Sequence, residues 1–164
     1  VAKDIMSHVS LMPAVIGGVK QYLYLTMNKV VGVAAADGQL LWSIPFAAKM
    51  AACPSPVSIG DGRIFITSGY EAGSMMIQLK EAGEKLSVET LFKLKPNVFG
   101  AAQHTPILYQ NHLWGVRPDG QFVCLTLEGR TVWASGAANR YGLGPFLIAQ
   151  GGRDYQVRPA DPCA

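Results

Sequence analysis

Apolar residues along this chain fall into short runs separated by Gly, Asp and Asn, and four of the runs open on a proline. These are Met12-Pro13-Ala14-Val15-Ile16, Ser55-Pro56-Val57-Ser58-Ile59, Thr105-Pro106-Ile107-Leu108-Tyr109 and Gly144-Pro145-Phe146-Leu147-Ile148. Proline is tolerated as the first residue of a strand, where its missing N–H lies outside the ladder, so each run predicts an opening strand. A turn and a second run follow each one. Gly17-Gly18 precedes 20–25, Gly60-Asp61-Gly62 precedes 63–67, Gln110-Asn111 precedes 112–116, and Gly151-Gly152 precedes 154–157. Gly, Asp-Gly and Asn accept the positive φ that tight hairpins demand. Third strands are predicted at 30–34, 74–79 and 121–125, and fourth strands at 39–44, 86–94 and 130–134. The near-continuous apolar runs of the first and third strands predict cover on both faces. No stretch sustains a 3.6-residue period; residues 81–90 come nearest, but Gly83, Val88 and Thr90 favour a strand.

One motif returns. Asp37-Gly38-Gln39-Leu40-Leu41-Trp42 and Glu128-Gly129-Arg130-Thr131-Val132-Trp133 share an acidic residue, Gly, three residues and Trp. They are separated by about two lengths of ~45 residues, the size of a four-stranded propeller blade. Between them, Ala82-Gly83 precedes a strand-like run that carries Phe92 in place of Trp. The predicted fold is therefore all-β: a β-propeller segment of four-stranded antiparallel blades. Three are complete, at residues 12–46, 55–95 and 105–135, and a partial fourth spans 144–158. Closed propellers have about four to eight blades. The chain, which opens at Val1 without an initiator Met, is accordingly expected to be part of something longer.

These residues resemble the PQQ-like (quinoprotein-like) β-propeller repeat family, whose blades place Gly in the turn between third and fourth strands and Trp four residues later. Gly38/Trp42 and Gly129/Trp133 keep that spacing, and Arg117-Pro118-Asp119-Gly120-Gln121 and Gly142-Leu143-Gly144-Pro145 are similar to stretches of large secreted bacterial proteins with this repeat. The resemblance runs from about Pro13 to Val157. It implies that Gly38, Trp42, Gly129 and Trp133 dock neighbouring blades together, each Trp lying against the Gly turn next door. The chain departs from the family pattern where Phe92 replaces Trp and where the alanine-to-glycine spacing of Ala34-Ala35-Ala36-Asp37-Gly38 is short.

Composition narrows the function classes. Apolar residues make up 49% and charged residues only 15%, below the ~25% of an ordinary soluble domain, as expected where many strands are buried. The net charge of +3 is scattered, which argues against nucleic acid or an anionic membrane as partner. The run 30–36, closed by Lys29 and Asp37, falls far short of the ~20 apolar residues of a spanning helix. Cys53, Cys124 and Cys163 stand alone and predict buried thiols rather than a zinc site or disulfide framework.

No catalytic residue and no metal ligand is assigned. His8, His104 and His112 lack the His-x-His or Glu-x-x-His spacing of a metal site. The Asp-Gly residues Asp37, Asp61 and Asp119 serve turns. The ligand-binding candidates are Gln103 and His104, at the mouth of an opening strand, with Arg117 and Arg140, which equally suit bracing of nearby loops. The expected function is non-catalytic: a scaffold or protein-interaction module whose partners are the remaining blades, a second copy, or other proteins. The resemblance implies a periplasmic or secreted location. The alternative is part of a PQQ-dependent oxidoreductase, in which PQQ and calcium would be held mostly by residues outside this segment; otherwise no cofactor is expected.

Overall fold

Turn chemistry sets the strand boundaries. The computed structural model describes residues 4–82 and 85–148, and among these it contains twelve strands and no helix. The first sheet is β1 (Met12–Ile16), β2 (Val19–Leu25), β3 (Lys29–Ala34) and β4 (Leu40–Pro45). The second is β5 (Val57–Gly60), β6 (Arg63–Ser68), β7 (Gly73–Ala82) and β8 (Lys85–Leu94). The third is β9 (Ile107–Tyr109), β10 (His112–Val116), β11 (Phe122–Thr126) and β12 (Thr131–Ala134). Each sheet is an antiparallel meander with its strands in chain order.

The three sheets repeat one irregularity. Gly32 pairs with Trp42 and the next pair is Val33 with Leu40, which leaves Leu41 unpaired. Met76 pairs with Phe92 and Ile77 with Thr90, bulging out Leu91. Cys124 pairs with Trp133 and Leu125 with Thr131, bulging out Val132. A bulge bends its strand and re-aims the side chain beside it. Trp42, Phe92 and Trp133 thus occupy one ladder position, and Phe92 is the structural counterpart of the two tryptophans.

Side-chain rows across each sheet explain the packing. Residues opposite one another in a ladder share a face. In the first sheet Met12, Leu23 and Trp42 face the second, where Ile64, Ile66, Met75 and Ile77 meet them in one hydrophobic cluster. The opposite face of the second sheet carries Val57, Phe65, Met76 and Phe92. These pack with Leu113, Val123 and Leu125 of the third sheet in a second cluster, where Phe65 and Phe99 meet edge to face at 5.7 Å. The corresponding row of the third sheet is Ile107, Trp114, Cys124 and Trp133. Among the described residues the stack is open, because the first and third sheets share no hydrophobic cluster.

Contacts between strands keep the sheets in one sense: β4 lies against β8, and β5 against β9. Two hydrogen bonds stitch the segments that lead into the opening strands. The Ser10 N–H donates to Ser55 Oγ at 3.0 Å, and the Ser55 N–H donates to Thr105 Oγ1 at 3.0 Å.

Three expectations are corrected. The opening strands β1, β5 and β9 are only half-buried, not covered on both faces. They are sheet edges; the expected cover holds for the middles of the third strands β3, β7 and β11, and β6 is covered as well. The partial fourth unit does not begin as a strand: residues 144–148 are irregular. No strand among the described residues pairs with them, and Phe146 instead packs edge-on against Phe122 at 5.0 Å and against His104 at 5.4 Å. Cys53 is only half-buried, whereas Cys124 is buried. The expected strand at 154–157, Gly83 and Cys163 lie outside the described residues.

Candidate functional site

In an antiparallel meander, the turns between second and third strands emerge at the same end of the sheet as the connections to the next sheet. Four such segments meet between the second and third sheets. The β6–β7 turn contributes Tyr70 and Glu71, and the connection from β8 to β9 contributes Pro96, Asn97 and Ala102. The β10–β11 turn adds Pro118 and Asp119, and Leu143 closes the rim. Together they line a groove of about 480 Å³. Gly69 makes the close approach possible: a Cβ there would lie 2.5 Å from the Ala102 Cα.

The four ligand-binding candidates all belong to this end, but they play different parts. Arg117 grips Asp119, its Nη2 lying 2.6 Å from Oδ2 and its Nε 3.2 Å from Oδ1. Asp119 also accepts from the Gln121 side chain and backbone. Its carboxyl is held below the usual range, first by the Arg117 hydrogen bond, with partial burial opposing. Arg140 folds its Cβ over Gly120, and the neighbouring Tyr141 N–H donates to the Gly120 carbonyl at 2.7 Å. Both arginines therefore attend the same turn. Gln103 is exposed on the connection before β9.

His104 is 3% exposed, and its Nε2 accepts from the Val116 N–H at 2.9 Å. That bond places the proton on Nδ1 in the neutral ring. Among the described residues Nδ1 has no full hydrogen-bond partner; the Leu143 carbonyl nearby favours the charged ring but falls short of hydrogen-bond geometry. Burial outweighs it and pushes the imidazole pKa down. Beside Phe146, His104 behaves as a packed neutral ring. His112 is different, its Nδ1 lying 2.7 Å from the Gln110 carbonyl at an exposed hairpin.

The residues picked out for docking also separate. Trp42 is 5% exposed and donates its indole N–H to Gln21 Oε1 at 2.6 Å. It lies directly over Gly32 of its own sheet, where a Cβ would come within 2.1 Å of Nε1. Gly38 has φ +75° and stands clear of any neighbour. Gly129, with φ +80°, sits against Phe92 and Leu94 of the second sheet. Trp133 is half-buried, with Trp114 at 6.4 Å and Phe122 at 6.3 Å. The contact of a Gly turn with the preceding sheet's aromatic is thus made by Phe92 and Gly129.

Tyr70, Glu71, Pro96 and Asn97 were not singled out from sequence. The available signal was two bulky residues between Gly69 and Gly73, in a turn position that usually takes Asn or Gly. Among the described residues, no three His, Cys, Asp or Glu side chains gather as metal ligands would, and no helix is long and apolar enough to cross a membrane. No protein-family model matches the chain, and no curated protein matches it.

Proposed function

We propose that the chain is an array of PQQ-like β-propeller blades that works without catalysis, as a scaffold binding other protein surfaces in an extracytoplasmic compartment. One observation carries this reading. In the first and second sheets, the row ending at the bulge-linked aromatic packs on the sheet that follows. In the third sheet the equivalent row lies beyond the last cluster: Cys124 is buried, but Ile107, Trp114 and Trp133 are only half-buried, with no further sheet packed on them among the described residues. Val132 beside it is 55% exposed. The first sheet's other face is partly open: Val31 is buried, but Val15 is 66% exposed, Tyr22 40% and Leu40 43%. Apolar terminal faces of this kind favour association.

Sedimentation velocity at micromolar concentration tests the reading. The expected result is self-association that weakens when Val132 and Val15 are replaced by Lys. A monomer with a sharp cooperative melt would overturn it. Addition of PQQ with Ca²⁺ separates the oxidoreductase alternative, because a bound cofactor raises the melting temperature; a scaffold melts unchanged.

A further inference from the structure

We propose that the groove between the second and third sheets takes the cationic side chain of a protein partner, an arginine before a lysine. The proposal rests on the scaffold reading and adds the chemistry of one contact.

The β6–β7 turn supplies the first argument. Tyr70 and Glu71 take φ values of 54° and 68°, and the Ala72 N–H closes the turn on the Gly69 carbonyl at 3.1 Å. Other hairpins with consecutive positive φ use Gly17-Gly18, Asp61-Gly62 and Gln110-Asn111. Apart from Gln110, these positions hold Gly, Asp or Asn, which adopt this conformation cheaply; only the β6–β7 turn sets two residues that do not, Tyr70 and Glu71, in succession. Strain of this sort, held by the surrounding structure, is a pointer to a role for the side chains it presents. Both residues line the groove.

Charge and shape supply the second. Asp119 is already engaged by Arg117 and Gln121. The Glu71 carboxylate is exposed and has no ion pair or hydrogen bond among the described residues. Pro96, Ala102, Pro118 and Leu143 form apolar walls suited to a methylene stem. Tyr70 offers a ring face to a cation, and Glu71 offers a carboxylate to it. A guanidinium satisfies both at once, because it stacks on aromatic rings and forks onto carboxylates, which an ammonium does less well.

The test is a titration of the ¹⁵N-labelled chain with the capped tripeptide acetyl-Gly-Arg-Gly-amide, read by amide shifts. Saturable shifts are expected at 69–73, 97–98 and 119–121. The citrulline peptide, of the same shape but neutral, should bind at least about tenfold more weakly, as should the arginine peptide to Glu71→Gln. The spectrum of that surface variant elsewhere reports its folding. Equal binding of the citrulline peptide, undiminished binding to Glu71→Gln, or no saturable shift at millimolar peptide would overturn the proposal. Tighter binding of free agmatine than of the peptide would overturn the protein partner in favour of a small amine. Self-association through the terminal faces is measured separately, so a monomeric chain that still binds the arginine peptide would sink the scaffold reading alone.

Discussion

Trp42 and Trp133 stand at the same place in the same motif, after the same bulge, yet one is sealed and the other half-open. Trp42 lies over Gly32, bonds Gln21, and is walled in by the second sheet. Trp133 faces away from the second sheet and is covered by Trp114 and Phe122 of its own. The motif therefore sets backbone geometry and side-chain direction. How much an indole contributes depends on which surface arrives to meet it.

Truncation should expose the difference most strongly. Trp42→Ala is expected to cost about 3–5 kcal/mol, the range for a large buried aromatic. Trp133→Ala should cost about 1–2 kcal/mol, in proportion to its partial burial. Urea midpoints measure both. Equal losses would break the comparison and mean that a second surface covers Trp133 in solution.

Glycine substitutions sharpen the same contrast at the seams. Gly129→Ala combines an unfavourable φ with a Cβ 2.7 Å from Phe92 Cε2, and should cost about 2–3 kcal/mol. Gly38→Ala meets open space and should lose only about 1 kcal/mol, from the backbone alone. A Gly38→Ala loss as large as that of Gly129→Ala would mean that another surface docks on the first sheet's turn.

The two ends should also answer acid differently. At the third sheet, burial lowers the pKa of His104 below its ordinary 6.5. The unfolded chain then binds the proton first, so this contribution to stability is complete above about pH 6.5 and is lost as pH falls toward the lowered folded value. His104→Gln should flatten the fall in urea midpoint between about pH 7 and pH 5 relative to the parent protein.

At the first sheet, Asp4 accepts from Asn28 and Thr26, each at 2.9 Å, and pairs with Lys29 at 3.3 Å. These partners shield the carboxylate, though few other protein atoms crowd it, and they hold its pKa at about 2, with the Asn28 bond the largest cause. A depressed carboxylate contributes stability above its ordinary 3.8 and loses it as pH falls toward about 2. The Met27 amide, which donates to the Ile5 carbonyl, should keep its exchange protection at pH 4 and lose it near about pH 2. Asp4→Asn should loosen that amide at neutral pH, the smallest of these effects.

Sequence by itself determined the hairpins and the repeat. Prolines at 13, 56 and 106 and the turns at Gly17-Gly18, Asp61-Gly62 and Gln110-Asn111 mark boundaries that depend only on local dihedral preferences, so the strands beside them fall within a residue or two of where the chain announces them, while β7, which no such signal closes, runs on to Ala82. The match of Phe92 to the two tryptophans was legible from spacing as well. Pro145 shows the limit: a strand also needs a ladder partner, and Phe146 found an aromatic cluster instead. Tertiary structure alone decided which faces are covered, because burial is a property of what packs across a sheet and not of the run itself. It sealed Trp42, left Trp133 half-open, and turned the apolar opening strands into half-exposed edges. The groove was decided the same way. Arg117 and Asp119 are neighbours in sequence, but Tyr70, Asn97 and Leu143 meet only because the second and third sheets share a hydrophobic cluster that draws their loops together.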